Sequence, residues 1–568
     1  MIILGIGAPF GHDPAAAILV DGRLVAAVEE ERFTRVKHAP GAPAVNAIRY
    51  CLQAAGIQPS QVEHVAFPWS RAAYDRLKWS YARRNWRVRP DRTFKTLTRG
   101  RSSERRITQF IHRSLGLAGI DPQRPTLHFV EHHVAHASSA YHLSGFRKAA
   151  LLSLDAGGEI ASIFLGAGDD GRITRLREIA VPDSLGLIYS TITDYLGFDR
   201  NDGEYKVMGM APYGQPDRFD FSHIIRFNHD TFHVNDEYIW APRRMRYDVG
   251  KWFSQRMVRE WGPPRIGDEL DDPYVDIAAG TQRVFEEIVL ALVRTHLRDI
   301  LRDCHALCLA GGCALNVKMN QRLLALPEVD RLFVQPASHD AGSALGAATY
   351  TASELGERVE PMRHAYYGPA YTNDEIRAAL DQRGLAYERV ADIADRAAEL
   401  LARGEPVAWF QDRAEWGPRA LGHRSILGHP AMAGMSDRIN AAIKYRERWR
   451  PFCPSLLPSS AAEILGSTHD APYMTLSFSV SDAWRAKIPE VVHVDGTARP
   501  QVVDPATNPV FHRLLQQFER RTGLPAVLNT SLNRRGEPMA CSPDDALNIL
   551  AGSELRYLAL GDYLVTKR

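Results

Sequence analysis

The sequence predicts an α/β protein whose first half is duplicated, because one strand–turn–strand unit occurs twice. Each copy has two apolar runs separated by a Gly-containing loop, then a Gly turn signal and a third apolar run, which is typical of three antiparallel strands. The first copy comprises 2–6, 15–20, Asp21-Gly22 and 24–28, and the second comprises 149–154, 160–165, Asp170-Gly171 and a run from residue 173.

Two strand–turn–helix units follow the second copy. A predicted strand at 306–309 leads through Gly311 and Gly312 into a predicted helix at 313–324, and a strand at 332–334 precedes a helix that begins near Asp340. Glycines between a strand and a helix let a ligand approach the backbone at the helix N-terminus. Together with the two loops of the duplicated unit, this indicates an ATP-binding fold of the actin–hexokinase–Hsp70 type.

The length predicts more than one domain. A chain of 568 residues is too long for one hydrophobic core. A boundary is indicated near Tyr366-Tyr367-Gly368-Pro369, after which predicted strands at 406–410 and 526–528 begin a second α/β region. We therefore expect the duplicated domain at 1–360 and a smaller α/β domain at 361–568.

The composition excludes several classes of protein. Apolar residues make up 45% and charged residues 24%, and the net charge is +2, so a nucleic-acid partner is not required. No run of about 18 apolar residues or signal peptide is present, so we expect no membrane partner. The six Cys form no C-x-x-C pair, which indicates reduced thiols in a cytoplasmic protein.

One strongly basic segment stands apart from this neutral composition. Residues 71–106 are dense in Arg and Lys and also contain Trp79, Tyr81 and Trp86. The segment is typical of a solvated helical insertion. A lid, or a docking surface for an acceptor or partner, is the alternative.

Two histidines have the spacing of metal ligands. His132 and His136 lie four residues apart, so on a helix both imidazoles reach the same side and can bind one ion. Asp155 follows a predicted strand, and Asp340 begins a helix after another strand. Two imidazoles and two carboxylates suit Fe²⁺, Mn²⁺ or Zn²⁺ without choosing among them. Histidines four residues apart also occur as ordinary surface residues.

The second region carries many residues that bind anions. Arg binds phosphate or carboxylate with two parallel hydrogen bonds, and Lys adds a point charge. No Walker A sequence is present, so the site is not a P-loop. Ordinary surface ion pairs and a weak RNA-binding surface are the alternatives. The residues concerned lie in 415–425, in 444–452, at Arg499 and in the loop 528–533.

Long motifs along nearly the whole chain carry a family resemblance. The sequence resembles the O-carbamoyltransferases of antibiotic and nodulation-factor biosynthesis. The matching motifs are Gly11-His12-Asp13, 29–33 (EEERF), 131–136 (EHHVAH), 202–214 (DGEYKVMGMAPYG), 311–316 (GGCALN), 417–422 (GPRALG) and Asn529-Thr530-Ser531.

The resemblance implies two domains and two successive reactions. The first domain is expected to be similar to the tRNA threonylcarbamoyl-transferase catalytic subunit, an actin/Hsp70-like fold, and the smaller second domain to be YrdC-like. The second would convert carbamoyl phosphate and ATP, with Mg²⁺, into carbamoyl-adenylate. The intermediate would then move internally to the first domain, where a hydroxyl of a small-molecule alcohol attacks it.

The resemblance also implies the role of particular residues. His12 would be the general base or would orient the acceptor hydroxyl. His132, His136, Asp155 and Asp340 would hold the metal, expected to be Fe²⁺. The carbamoyl phosphate and nucleotide ligands of the second domain would be Arg419, Lys444, Arg450, Arg499, Asn529 and Ser531. The nucleotide ligands of the first domain would be Gly158, Lys206, Gly311, Gly312 and Asn316.

Three other functions are compatible with parts of the sequence. Threonylcarbamoyl transfer to tRNA uses the same two domain types but predicts a broad basic face. Carbamoylation of a protein cysteine predicts Cys-rich zinc fingers, and the chain contains none. A non-catalytic ATP-switch protein leaves His132, His136 and the Arg-rich second region without a role. The acceptor could be an aminoglycoside, a macrolide, an ansamycin or an oligosaccharide.

Overall fold

A computed structural model describes residues 1–8, 11–87, 90–235, 237–239 and 250–567. The chain forms two compact units. The first unit consists of Met1–Val25 and Gly41–Met362, and the second of Ala26–Pro40 and Arg363–Arg568. The short segment Ala26–Pro40 therefore belongs to the unit built mainly from the C-terminal third of the chain.

The first 362 residues contain twelve strands and twelve helices in the described part of the chain. The strands are β1 (Ile2–Ile6), β2 (Ala15–Val20), β3 (Arg23–Glu29), β4 (His64–Phe67), β5 (Thr126–Phe129), β6 (Lys148–Leu154), β7 (Ala161–Asp169), β8 (Arg172–Ala180), β9 (Ile225–Asn228), β10 (Thr231–Val234), β11 (Ala306–Ala310) and β12 (Arg331–Val334). The helices are α1 (Glu31–Thr34), α2 (Val45–Ala55), α3 (Arg71–Asn85), α4 (Pro90–Ala118), α5 (His132–Ser144), α6 (Leu185–Tyr195), α7 (Glu204–Met210), α8 (Gln255–Trp261), α9 (Tyr274–His296), α10 (Arg298–Cys304), α11 (Val317–Leu324) and α12 (Asp340–Glu354).

Two five-stranded sheets share one topology. Their strand orders are β3-β2-β1-β4-β5 and β8-β7-β6-β11-β12. In each sheet the first strand in sequence pairs antiparallel with the second and parallel with the fourth. The predicted duplication is thus confirmed, and with it the α/β fold of the actin/Hsp70 type. The predicted helix at 313–324 is shorter, because a 3₁₀ turn (Gly312–Leu315) precedes α11.

Glycines allow α12 to pack directly on α5 and on β1. A Cβ atom on Gly346 would lie 1.7 Å from the carbonyl oxygen of Ala135 in α5. A Cβ on Gly5 would lie 2.0 Å from the carbonyl oxygen of Ala344. Only glycine fits at both positions, since no larger residue permits such backbone contact. The close packing brings the first residue of α12, Asp340, towards the start of α5.

The basic segment forms the helices α3 and α4. They run antiparallel, and the Tyr74 hydroxyl donates to the Thr96 carbonyl at 2.7 Å. Trp79 and Trp86 are 65% and 56% exposed, so neither ring belongs to the core. Residues 88 and 89 of this segment lie outside the described residues. Among the described helices, none is long and apolar enough to cross a membrane.

The second unit is built around an eight-stranded mixed sheet with the order β13-β22-β21-β14-β15-β20-β16-β19. Its core contains Trp409 and Phe511, which are fully buried, between the sheet and the helices α14 and α18. The strands are β13 (Tyr387–Arg389), β14 (Val407–Phe410), β15 (Arg424–Gly428), β16 (Cys453–Leu456), β17 (Phe478–Ser479), β18 (Thr497–Ala498), β19 (Gln501–Val502), β20 (Ala526–Ser531), β21 (Tyr557–Leu560) and β22 (Tyr563–Thr566). The helices are α13 (Asn373–Gln382), α14 (Ile393–Ala402), α15 (Met435–Ile439), α16 (Pro458–Leu465), α17 (Asp482–Arg485), α18 (Pro509–Thr522) and α19 (Pro543–Ala551).

Candidate metal and anion sites

Four side chains of the first unit converge on one buried point. His132 and His136 lie one turn apart on α5, Asp155 follows β6, and Asp340 begins α12. Because β6, β11 and β12 are adjacent and parallel, the segments that follow them meet at one edge of the sheet. One ligand atom from each of the four residues lies within 4.8 Å of the others.

The spacing of these donors fits a single metal ion. The Nε2 atoms of His132 and His136 are 3.1 Å apart, and each lies 3.1–3.9 Å from carboxylate oxygens of Asp155 and Asp340. Four donors at about 2.1 Å from an ion in a tetrahedral arrangement would be about 3.4 Å apart. Both imidazoles are fully buried, as expected for ligands of a structural or catalytic ion.

The charges at this point also fit a cation. Burial alone would lower the pKa of His136, but hydrogen bonds and charges of Asp155 and Asp340 raise it to about 9. Burial would raise the pKa of Asp155, yet hydrogen bonds from the two imidazoles hold it well below its ordinary value. Two carboxylates therefore attract positive charge to this buried point, which a divalent cation can supply in place of a proton.

His12 lies beside the four donors, in the loop between β1 and β2. Its Nε2 is 3.8 Å from Oδ2 of Asp340, and its Nδ1 is 3.0 Å from Oδ2 of Asp13. Burial opposes a charged imidazole, but the hydrogen bond with Asp13 and the charge of Asp340 raise the pKa of His12 to about 9. The sequence-predicted base thus lies next to the predicted metal ligands.

Glu159, which was not among the residues predicted from the sequence, supports the helix that carries the histidines. Its carboxylate accepts hydrogen bonds from the backbone N–H groups of Ser70 at 2.7 Å and His132 at 3.0 Å. A carboxylate at a helix N-terminus is favoured by the helix dipole. Burial raises the pKa of Glu159 to about 7. The feature of the sequence that could have identified Glu159 is its position in the second Gly-rich loop, residues 155–159.

The predicted glycines line the same region. A Cβ on Gly158 would lie 3.1 Å from the Cβ of His132, and a Cβ on Gly311 would lie 2.1 Å from the carbonyl oxygen of Leu154. The backbone N–H of Gly312 donates to Oδ2 of Asp155 at 3.2 Å. Gly158 thus lies against His132, Gly311 packs against the end of β6, and Gly312 orients one carboxylate of the cluster.

The other two residues predicted to bind nucleotide in this unit have different surroundings. Lys206 lies on α7, with its Nζ 5.1 Å from the centre of the Phe198 ring. Asn316 caps α11 by accepting from the N–H of Met319 at 3.0 Å, and its amide pairs with that of Gln282. Their nucleotide-binding role stays a prediction.

In the second unit, Lys444 is the centre of a polar cluster. It ends a π-helical turn (Asn440–Lys444) and is buried. Its ammonium donates to the Ser531 hydroxyl at 3.2 Å and to Oδ1 of Asn533 at 2.7 Å. Burial holds the pKa of Lys444 well below its ordinary value, and nearby positive charges add to this effect: Arg446, Arg450 and Lys37.

The remaining predicted residues lie around the same edge of the sheet. Asn529 donates to the Ser455 hydroxyl at 2.9 Å and to the Ala420 carbonyl at 3.3 Å, next to Arg419. Cys453 is paired in register with Asn529, and Arg499 donates to its Sγ at 2.9 Å. Arg450 forms an ion pair of 3.2 Å with Glu447.

Glu415 organises the loop that carries Arg419. One of its carboxylate oxygens accepts from three backbone N–H groups at 2.8–3.0 Å, those of Leu421, His423 and Arg424. Such charge-assisted bonds fix the loop in one conformation. Glu415 lies in the motif region but was not among the predicted site residues.

The two units thus carry different kinds of site: a buried cluster of metal-ligand type in the first, and a buried ammonium among further cations in the second. The sequence matches two family models, described as the carbamoyltransferase N-terminus over residues 2–349 and the carbamoyltransferase C-terminus over residues 398–567. The chain therefore belongs to the carbamoyltransferase family, and it is an enzyme of carbamoyl transfer.

Curated relatives are similar over most of their length. An uncharacterized protein, sll1178, of Synechocystis sp. is 37% identical, and the match covers 100% of this chain and 96% of the relative. The nodulation protein NolNO of Sinorhizobium fredii is 36% identical, with 98% and 79% covered. The nodulation protein NolO of Bradyrhizobium diazoefficiens is 37% identical, with 77% and 79% covered.

Two solved structures have a distant likeness to this chain. Full-length HypF, in its phosphate- and nucleotide-bound form, has a TM-score of 0.31 and 12% identity, with 63% of this chain and 56% of HypF covered. The ROK hexokinase of Thermus thermophilus has a TM-score of 0.27 and 15% identity, with 62% and 100% covered. The fold assignment depends instead on the repeated strand order.

Proposed function

We propose that this carbamoyltransferase is ATP-dependent and acts in two reactions. In the second unit, carbamoyl phosphate, ATP and one water give carbamoyl-adenylate, phosphate and pyrophosphate. In the first unit, the hydroxyl of a small-molecule alcohol attacks the carbonyl carbon of the adenylate, giving an O-carbamate and AMP. The acceptor we propose is a natural product such as an antibiotic or an oligosaccharide.

The observation that carries this proposal is the buried ammonium of Lys444. A buried Lys is costly unless a negative charge accompanies it. Among the described residues, its hydrogen-bond acceptors are neutral, and the charges that act on its pKa are cations. A phosphate group or a carbamoyl phosphate would supply that charge. Arg450, Arg419 and Arg499 would then share the remaining charge of the two substrates.

In the first unit, His12 is the residue we propose to act on the acceptor. A hydroxyl is a poor nucleophile, so an imidazole within reach that accepts its proton increases the rate. Asp13 pairs with the Nδ1 side of the ring, and Nε2 lies on the side of the four-donor cluster, 3.8 Å from Oδ2 of Asp340, where we propose that the acceptor hydroxyl binds. His132, His136, Asp155 and Asp340 would hold a divalent cation, which we propose to be Fe²⁺. Its charge would offset that of the carboxylates beside His12, so that the imidazole could be neutral and accept a proton, and would also offset the charge of the leaving phosphate.

The test uses the purified full chain with ATP and ¹³C-labelled carbamoyl phosphate, in the absence of acceptor. We expect carbamoyl-adenylate by mass spectrometry and pyrophosphate in equal amount. Lys444→Ala should abolish both products. Lys487→Ala is the matched control, because Lys487 is an exposed lysine of the same unit.

Three outcomes would contradict the proposal in different ways. Absence of turnover in the wild-type protein loaded with metal would exclude carbamoyl phosphate as the donor. Pyrophosphate without carbamoyl-adenylate would mean that another acid is adenylated. Full activity of Lys444→Ala would show that the anion site lies elsewhere in the second unit.

A further inference from the structure

Apart from Lys37, whose charge acts on Lys444, the segment Ala26–Pro40 has no role in the reactions proposed so far, although its residues 29–33 form a long family motif. It comprises the end of β3, the short helix α1 and the following loop, and it belongs to the second unit. Glu29 and Arg32 are 2% and 3% exposed. Charged side chains are buried this fully only when they have specific partners.

The partner of both side chains is one glycine. Oε1 of Glu29 accepts from the backbone N–H of Gly417 at 2.9 Å, and Nη2 of Arg32 donates to the Gly417 carbonyl at 2.7 Å. The two side chains also pair with each other, at 3.3 Å. Every polar backbone group of Gly417 is thus held by a charged residue from the segment.

Gly417 begins the loop that carries Arg419. Its φ angle is +101°, a conformation that favours glycine, so the direction of the loop changes at this residue. Glu415 fixes the other end of the loop through the N–H groups of Leu421 and His423. The position of the Arg419 backbone is therefore set from both sides, and Glu29 with Arg32 set one of them.

Arg35 makes the corresponding contacts with a second loop of the same unit. Its guanidinium donates to the carbonyls of Met539 at 2.6 Å and Pro538 at 2.7 Å. This loop follows Asn533, whose amide donates to the carbonyl of Glu537 at 2.7 Å. Asn533 in turn accepts a hydrogen bond from Lys444.

We infer that the segment Ala26–Pro40 is a built-in part of the anion site of the second unit, in which Glu29 and Arg32 position the Arg419 loop and Arg35 positions the loop after Asn533. These three are positioning residues, since they hold the two loops by backbone groups. The inference rests on the proposed function only in naming the ligands of the two loops, carbamoyl phosphate and ATP. The contacts themselves are independent of the reaction.

Glu29 and Arg32 hold the Gly417 loop through its backbone, whereas Arg35 also pairs with the Asp545 carboxylate at 3.3 Å, at the start of α19. Contacts with loop backbone separate this arrangement from ordinary core packing. Loss of a core side chain lowers the stability of the whole unit. Loss of a side chain that binds backbone groups of a loop should mainly increase the mobility of that loop. The sheet beneath the loop should stay folded, because it keeps its own hydrogen bonds and apolar core.

The test compares Glu29→Ala with Glu29→Gln in the full chain. The Gln side chain keeps an acceptor for the Gly417 N–H, so it should restore much of what Ala loses. Glu388→Ala is the matched control, since Glu388 is an exposed glutamate of the same unit. The first readout is amide hydrogen exchange of residues 417–422. We expect exchange about tenfold faster or more in Glu29→Ala, and unchanged rates in the control.

The second readout is the kinetics of pyrophosphate release with ATP and carbamoyl phosphate. We expect kcat/KM to fall about 100-fold in Glu29→Ala, with most of the loss recovered in Glu29→Gln. Arg35→Ala should speed exchange in residues 534–540 and leave residues 417–422 protected. This difference tests the two loops separately.

The outcomes distinguish this inference from the proposed function. Unchanged exchange at 417–422 in Glu29→Ala would overturn the inference, whatever the activity. Faster exchange in a protein whose wild type forms no carbamoyl-adenylate would support the positioning role and contradict the proposed reaction. Uniformly faster exchange across the second unit in Glu29→Ala would mean that Glu29 stabilises the fold as a whole, and would also overturn the inference.

Discussion

Nε2 of His12 lies 3.8 Å from Oδ2 of Asp340, so the imidazole is a neighbour of the four-donor cluster without being one of the donors. The two residues come from opposite ends of the first unit: His12 from the loop after β1, and Asp340 from the start of α12. Their proximity places a proton acceptor beside the point where we propose that positive charge is bound. It also allows the two roles to be separated by mutation.

His12→Ala should spare the first reaction and stop the second. Carbamoyl-adenylate should form at the wild-type rate, because the second unit is unchanged. Carbamoyl transfer to the acceptor should fall by about 10²–10⁴, the usual contribution of a general base. Mass spectrometry of adenylate and carbamate in one time course measures both steps. Wild-type transfer in this variant, with unchanged metal content, would remove His12 from the mechanism.

His136→Ala should strongly weaken metal binding by the first unit. The variant loses one of four converging donors, so we expect affinity for Fe²⁺, Mn²⁺ and Zn²⁺ to fall by about 100-fold or more. Elemental analysis of the purified protein and competition with a chelator measure this loss. His223→Ala, an exposed histidine of the same unit, is the control. Equal metal content in His136→Ala and wild type would exclude the four-donor site.

Gly346→Ala should displace α12 from α5. The added Cβ would meet the Ala135 carbonyl at 1.7 Å, so the helices have to separate, at a cost of about 1–3 kcal/mol or more. Because Asp340 and His136 lie on these helices, metal binding should weaken together with stability to urea.

Gly116→Ala is the matched control for this substitution. Gly116 also lies in a helix, but its nearest neighbour, Cγ of Pro122, would be 3.9 Å from the new Cβ. This change should stabilise α4 by about 0.5–1 kcal/mol, since alanine favours helices over glycine. Equal effects of the two substitutions would mean that the tight helix contact does not determine the metal site.

Binding of ATP should take up a proton at Lys444. Burial holds the pKa of this ammonium well below its ordinary value, and a bound polyanion should raise the pKa again. Between the two pKa values, binding therefore adds a proton, and affinity falls as pH rises through that range. Calorimetry at about pH 8.5, where phosphate groups are already ionised, in buffers of different ionisation enthalpy measures the uptake.

Lys444→Met should remove this proton uptake as well as most of the affinity. Lys487→Met should retain both, because its side chain is exposed. Proton uptake that persists in Lys444→Met would assign the titration to another group of the second unit. Identical affinity in Lys444→Met and wild type would mean that ATP does not contact this lysine.

Local patterns were sufficient to predict most strands of the first unit. Apolar runs separated by a Gly-containing loop and an Asp-Gly turn identified both copies of the strand–turn–strand unit. The i,i+4 spacing of His132 and His136 placed both side chains on one side of α5. That Asp155 and Asp340 come close to them follows from the parallel neighbours β6, β11 and β12. The prediction of the four-donor cluster thus depended on the sheet topology of the first unit, which the repeated strand–turn–strand unit already indicated.

The contacts of Glu29 and Arg32 could not be predicted in this way. They join residues 388 and 385 positions apart, and no periodicity or turn signal relates the segment Ala26–Pro40 to Gly417. Asn316 shows a different limit: its side chain is used as a helix cap, a role that competes with ligand binding and that sequence alone does not exclude. Glu159 was missed because its partners are backbone N–H groups, which every residue offers.

The return of residues 26–40 to the second unit has a consequence for synthesis on the ribosome. The backbone groups that Arg32 and Arg35 bind are added 385 and 504 residues later. At a synthesis rate of roughly 5–20 residues per second, these groups are synthesised roughly 20–80 s or longer after the segment. During that time residues 23–29 can already pair with β2, but Arg32 and Arg35 lack these backbone partners. The nascent chain therefore presents a charged loop to proteases and chaperones until translation is nearly complete.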